Sequence, residues 1–202
     1  SALLVLNDFD PVEAANIAVQ GMFVHAGQIC MANSRIVVEA GVFDDFCVAM
    51  KAACEQLQIG DVRNPASVYG PLINRVAVEK IECHIADALE RGASLLTGGK
   101  VKQGLVFEPT VLLESPRECS AWRDESFGPL TSVVKAADLD EAIAMANDSD
   151  FGLSAAVLTH NIKRGFKAAR AIRSGPDHET VSNTKARGAA FTADRSEPSK
   201  SS

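Results

Sequence analysis

His25-Ala-Gly-Gln-Ile-Cys30, followed by Met31-Ala-Asn-Ser-Arg35 and the apolar run Ile36-Val-Val38, is the stretch on which the reading of the chain turns. It places one thiol in a glycine-containing turn between a helix and a strand, the unit from which an alternating α/β chain is built. Upstream, the apolar run Ala2 to Leu6, bounded by Asn7-Asp8, reads as a strand covered on both faces. Asp10 is a good N-cap, Pro11 suits the first helical position, and Glu13 favours the positive end of the helix dipole. Val12, Ala15, Ala18, Val19 and Met22 recur at helical spacing, and Gly27 is expected to end the helix. Cys30 therefore lies beyond a helix C-terminus, where that helix's dipole does not favour a thiolate.

Downstream, a helix is predicted from near Val42 to before Gly60. Phe43, Phe46, Cys47, Met50, Cys54 and Leu57 form its apolar face, so Cys47 and Cys54 read as core filling. Gly70-Pro71 leads into a helix reaching about Arg91, with Gly92 as its stop. Val78, Ile81, Ile85, Ala88 and Leu89 give its buried face, and Cys83 and His84 fall off that stripe. That pair makes a poor metal site, since adjacent helical side chains point about 100° apart. Strands are expected at Ser94–Thr97, Thr110–Leu113, Leu130–Val134 and Leu153–Leu158. Asp138 and Glu141 have the capping-box spacing for a helix reaching about Asn147, and Asn161 caps one carrying Ile162, Phe166, Ala169 and Ile172, closed by Gly175. Strands alternate with helices over residues 1–175, which predicts an α/β fold with a mainly parallel sheet and flanking helices. After Pro176 the pattern weakens, and the Ser-, Ala- and charge-rich segment 176–202 is expected to be an atypical, flexible tail.

The 202 residues, 47% of them apolar, supply one sizeable core. A net charge of -6 and a pI near 5.2 argue against a broad basic surface for nucleic acid and favour small-molecule or protein partners. No run of 18 apolar residues and no secretory pattern occur, so the expectation is a cytoplasmic protein with no membrane partner. Five cysteines with no CxxC pair make a disulfide framework or zinc ribbon a poor reading. The chain opens directly on a strand, which suggests part of a longer protein.

Local chemistry leaves Cys30 open to two readings. It is either a reactive thiol in an exposed turn or an inert buried one. A Cys-His nucleophile pair with His25 as base requires hydrogen-bond reach that sequence proximity does not supply.

Four stretches occur in the order found in one family. Phe23 with Gly27-Gln28-Ile29-Cys30 and Asn33-Ser34-Arg35, then Gly70-Pro71, Glu125-Ser-Phe-Gly-Pro129 and Phe151-Gly-Leu-Ser-Ala-Ala-Val157 resemble motifs of the aldehyde dehydrogenase superfamily. The resemblance implies that residues 1–175 are its catalytic domain, acting in NAD- or NADP-linked oxidation of an aldehyde to a carboxylic acid. It implies Cys30 as the nucleophile, passing through a thiohemiacetal and a thioester, with the Cys30 backbone N–H as an oxyanion donor. Glu125 would bind the nicotinamide-ribose hydroxyls, Phe127 would contact the ribose or ring, and Lys80 would approach the other ribose or remain a solvated helix lysine. No metal is implied. The wording around Cys30 is similar to members acting on aromatic aldehydes such as benzaldehyde, salicylaldehyde or vanillin. Family members of full length are expected to be homo-oligomers.

The departures matter too. The family's coenzyme-binding fold, oxyanion-hole asparagine and general-base glutamate have no counterpart in these residues, so the 202 residues alone are expected to be a poor catalyst or none, and the pattern is lost after Ser174-Gly175. Two rival classes follow: a non-catalytic remnant that keeps the fold, and a cysteine hydrolase or acyltransferase working without a nicotinamide.

Overall fold

Helix α1 (Pro11–Phe23) starts where its residues dictate. The Asp10 side chain accepts the Glu13 N–H at 2.8 Å, and Pro11 occupies the first turn, where its missing N–H costs nothing. The structure is a computed structural model that describes residues 1–174 and the strands at 182–186 and 188–194.

Strands β1 (Ala2–Val5), β2 (Arg35–Glu39), β3 (Ser94–Thr97), β4 (Val101–Gln103), β5 (Val106–Phe107), β6 (Thr110–Leu113), β7 (Leu130–Ala136), β8 (Ser154–Thr159), β9 (Ser182–Ala186) and β10 (Gly188–Asp194) alternate with five further helices. These are α2 (Phe43–Glu55), α3 (Arg75–Glu90), α4 (Ser120–Arg123), α5 (Leu139–Asn147) and α6 (Ile162–Ala171). The main sheet has the order β3-β6-β7-β2-β1-β8-β10-β9, and β4 and β5 form a separate hairpin. Its centre is parallel: Leu3 lies opposite Ile36 on β2 and Ala156 on β8, and Ile36 lies opposite Val133 on β7. Both outer edges are antiparallel.

Successive residues of a strand face opposite sides, so a strand buried throughout must be covered on both. Leu3, Leu4, Val5, Ile36, Val37 and Val38 all have 0% exposure. Helix α1 packs on α2, whereas α5 packs on α6 and lies against β1, β2 and β7. The α/β fold with a mainly parallel sheet is as the alternation of the sequence predicts.

Several details differ from the sequence reading. Helix α1 stops at Phe23, four residues before Gly27, because His25 and Ala26 take left-handed backbone conformations that an α-helix cannot contain. Val12 and Leu89, placed on buried stripes by spacing, are exposed, and His84, placed off its stripe, is 5% exposed. On α6 the buried positions are Gly165 and Ala168, with Ile172 buried just beyond its end, while Ile162 and Phe166 face outward. The hairpin β4–β5 was not anticipated, being too short to show a period. Of the segment expected to form a flexible tail, β9 and β10 join the sheet edge at β8. Gly175, expected to close the last helix, lies outside the described residues, as do 176–181, 187 and 195–202.

The carboxyl ends of β1, β2 and β8 are tied by charge. Glu39 is 2% exposed and accepts from Arg164 Nη2 and, at 2.8 Å, from the Asn7 N–H. The Asp8 carboxylate accepts the Thr159 hydroxyl and the His160 N–H. Removing one partner of such a buried pair strands the other. Glu39→Ala should therefore lower the unfolding free energy by roughly 2–3 kcal/mol, somewhat less than for a fully enclosed pair because Arg164 reaches water; denaturant titration with a matched slope checks this.

Candidate functional site

Three successive left-handed residues, His25 (φ 54°), Ala26 (φ 56°) and Gly27 (φ 67°), carry the chain from α1 to Cys30. For His25 and Ala26 this conformation costs about 1–2 kcal/mol each, so surrounding contacts must impose it. One such contact lies at Gly27. A Cβ there would come within 2.4 Å of the Gly128 carbonyl oxygen, so only glycine lets the two backbones approach this closely. The turn is also latched by Gln28, whose amide donates to the His25 carbonyl at 3.2 Å and accepts the Ile73 N–H at 3.0 Å.

This approach brings Cys30 to the 125–128 loop. Ser1, Gly27, Cys30, Ser34, Glu125 and Phe127 line one cavity at the amino ends of β1, β2 and β7. Cys30 is exposed. Its carbonyl accepts the Ser1 hydroxyl at 3.0 Å, and Ser154 donates to the Ser1 Oγ at 3.1 Å. The Cys30 N–H has no acceptor among the described residues. Phe127 has φ 46° and is 43% exposed, so this residue of the cavity lining is not used as core. Lys80 on α3 donates to the Glu125 carbonyl at 2.5 Å, which fixes the loop backbone and leaves the Glu125 carboxylate for other partners.

His25 does not share this cavity. It lines a separate groove with Gln28, Tyr69 and Pro71, so the Cys30-His25 pair has no support. On the other side of Ile29 lies a third groove, lined by Val24, Ile29, Met31, Leu153 and Ala155. Arg35 is 3% exposed; it donates to the Ala146 and Phe151 carbonyls at 3.3 Å and its guanidinium lies 5.5 Å from the Trp122 ring centre. Burial lowers its pKa to about 10, which still leaves it charged at neutral pH.

The other thiols divide cleanly. Burial pushes Cys47 up to about 11 and Cys54 up to about 12, and raises Cys119 as well. These three are buried, and Cys83 is exposed on the surface of α3. Among the described residues no group of three or more His, Cys, Asp or Glu could hold a metal ion, and no helix is long and apolar enough to cross a membrane.

The family model for the aldehyde dehydrogenase family matches residues 1–191. The chain belongs to the aldehyde dehydrogenase family. It is 37% identical over 172 residues to the glutarate-semialdehyde dehydrogenase of Pseudomonas putida, covering 85% of this chain and 36% of that protein. It is 38% identical over 178 residues to the benzaldehyde dehydrogenase of Bacillus subtilis, covering 88% and 36%. The crystal structure of lactaldehyde dehydrogenase from Escherichia coli superposes with a TM-score of 0.82 at 35% identity, over 87% of this chain and 37% of that one. The chain thus spans a little over a third of the length of these aldehyde dehydrogenases.

Of the residues that the resemblance singles out, the fold brings Cys30, Glu125 and Phe127 to one cavity. Sequence reasoning missed Ser1 and Ser34 as cavity lining, the backbone of Gly128 as the surface against which Gly27 packs, and the burial of His84. The spacings of three and four residues that set His84 between Ile81 and Ala88 on the buried face of α3 were the available signal for the last.

Two predictions follow from this geometry. Gly27→Ala should destabilise the fold by roughly 2 kcal/mol or more, combining left-handed strain with displacement of the Gly128 carbonyl, and should alter Cys30 alkylation rates. Burial and Lys80 lower the pKa of His84 below its ordinary 6.5. The unfolded chain therefore binds this proton first, so the stability held above about pH 6.5 declines as the pH falls below that value. Urea melts across that range check the sign, and His84→Gln should flatten the dependence.

Proposed function

We propose that the site carries out NAD- or NADP-dependent oxidation of an aldehyde to a carboxylic acid, with Cys30 as the nucleophile. The observation that carries this reading is the single cavity shared by the exposed Cys30 thiol, the Glu125 carboxylate and the outward Phe127 ring. The residue types suit the hydroxyls and ring of a nicotinamide riboside, which would lie at the mouth of this cavity, since its volume of about 20 Å³ holds little more than a water. An ionised carboxylate accepts hydrogen bonds from two vicinal hydroxyls, and an aromatic face supports a ring or sugar without demanding a polar partner. When bound, the nicotinamide supplies a hydride acceptor.

The steps assigned to this chain are these. The Cys30 thiolate forms a C–S bond to the aldehyde carbon, and the carbonyl electron pair moves to oxygen. The Cys30 N–H, which has no acceptor among the described residues, would donate to that oxyanion. Loss of hydride from the thiohemiacetal leaves a thioester on Sγ. Water then adds to the acyl carbon, the C–S bond breaks, and the thiolate is regenerated as the acid departs. Glu125 and Phe127 orient the acceptor, and the Lys80 contact to the Glu125 carbonyl holds their loop.

The substrate reading is an aromatic aldehyde, supported by the wording around Cys30 and by the similarity to the benzaldehyde dehydrogenase of Bacillus subtilis. The groove beside Ile29 carries Val24, Met31, Leu153 and Ala155 together with the polar Gln20, Asn33 and Ser154, and it adjoins the Cys30 cavity through Ile29 and does not contain Cys30. The hydrolase alternative is disfavoured because His25, the base it needs, opens into another groove.

Reduced cofactor formed from benzaldehyde and NAD, followed by absorbance, tests the reaction. Cys30→Ser should abolish it and Glu125→Gln should lower it by about tenfold or more, the loss of a charge-assisted contact. Benzaldehyde should exceed glutarate semialdehyde in kcat/KM by at least about tenfold. A Cys30→Ser variant as active as the parent would overturn the assignment.

A further inference from the structure

We propose that His84 is a positioning residue for the Asp124–Gly128 loop, its buried imidazole set against the Asp124 carboxylate so that Glu125 and Phe127 keep the shape that meets the nicotinamide ribose. The inference rests on the cofactor reading of Glu125 and Phe127 and goes beyond it to a residue outside the cavity.

Three residues on one face of α3 shape that loop. Lys80 donates to the Glu125 carbonyl, and a Cβ on Gly128 would come within 2.4 Å of Ile81 Cδ1, so this glycine lies directly on the helix. His84 follows Lys80 by four residues and Ile81 by three, and its Nε2 lies 4.0 Å from Asp124 Oδ2. The loop is thus bonded to α3 at Glu125, packed on it at Gly128, and faced at Asp124 by the His84 ring, whose attraction for that carboxylate begins when the ring is protonated. Between the last two, Phe127 has a left-handed backbone, a conformation that persists only when its neighbours impose it.

His84 is not explained as filling. It is 5% exposed, and its Nδ1 is buried without a hydrogen-bond partner. A buried polar nitrogen in that state is disfavoured relative to an apolar side chain of the same shape, so the imidazole calls for a role other than packing. The charged groups facing it are Lys80 and Asp87 on α3 and Asp124 on the loop. Burial and Lys80 keep the ring neutral at neutral pH. On protonation the ring becomes a cation that attracts the Asp124 carboxylate, and the loop next to Glu125 is drawn toward α3.

The chain has one tryptophan, Trp122, buried two residues before Asp124, and its emission reports on this loop. The test follows Trp122 emission from about pH 8 to about pH 5 in the parent, His84→Gln and Asp124→Asn. We expect a single transition in the parent with a midpoint below about 6.5, absent in His84→Gln and moved to lower pH in Asp124→Asn, which removes the stabilising carboxylate. In parallel, the slowing of Cys30 alkylation by NAD is read by peptide mapping. Half-protection should need about tenfold more NAD in His84→Gln at neutral pH, a loss that a packing change alone would not tie to the fluorescence titration. If His84→Gln keeps both the parental emission profile and the parental NAD protection, the proposal is wrong. If NAD leaves parental Cys30 alkylation unchanged, the proposal also falls, through the cofactor reading; a persisting His84-dependent emission change tells that failure from the first. Asp124→Asn, which preserves side-chain size, decides the matter should His84→Gln not fold.

Discussion

The site depends on the closeness of two backbones. Gly27 lies so near the Gly128 carbonyl that no side chain fits between them, and this contact brings the turn before β2 to the loop before β7. A thiol, a carboxylate and an aromatic ring that are distant in sequence then share one cavity. The strain in His25, Ala26 and Phe127 is concentrated at this meeting. Left-handed backbone at non-glycine residues is disfavoured by itself and survives where packing fixes the chain on both sides, here the parallel strands behind and α3 in front.

The placement of the site also has a physical logic. Ligands of open parallel sheets usually bind outside the carboxyl ends of the strands. Here those ends, at β1, β2 and β8, are occupied by the Glu39, Arg164 and Asp8 network, a set of mutually satisfied charges that holds the strands in register. Cys30, Glu125 and Phe127 gather at the amino ends instead, where the loops entering the strands converge and the Ser1, Ser34 and Ser154 hydroxyls tie the strand starts together.

How much could be read from the chain depended on the range of the interaction. Helix starts were legible because a cap is local: Asp10, Asp138 and Asn161 each bond N–H groups two or three residues on, as their side chains suggest. The alternation of apolar strands and amphipathic helices gave the α/β class, and ordered motifs gave the family and pointed to three residues that the fold gathers at one cavity. What spacing could not show was set by distant contacts. The end of α1 is decided by Gly128, a hundred residues away, and not by the glycine that would usually stop a helix. The burial of His84 is decided by the loop packed over α3. The inward face of α6 is carried by Gly165 and Ala168 because the helix lies close to its neighbours, which leaves Ile162 and Phe166 outside.

The account's central claim is that Cys30 and the Glu125–Phe127 loop work as one site, and the adduct left on the thiol tests it most directly. The chain is incubated with benzaldehyde and NAD, quenched in acid, and its peptides are mass-mapped. The account requires an acyl group on the Cys30 peptide, dependent on NAD and diminished in Glu125→Gln. Acylation of Cys83, the other exposed thiol, or reduction of NAD with no dependence on Cys30, would contradict it.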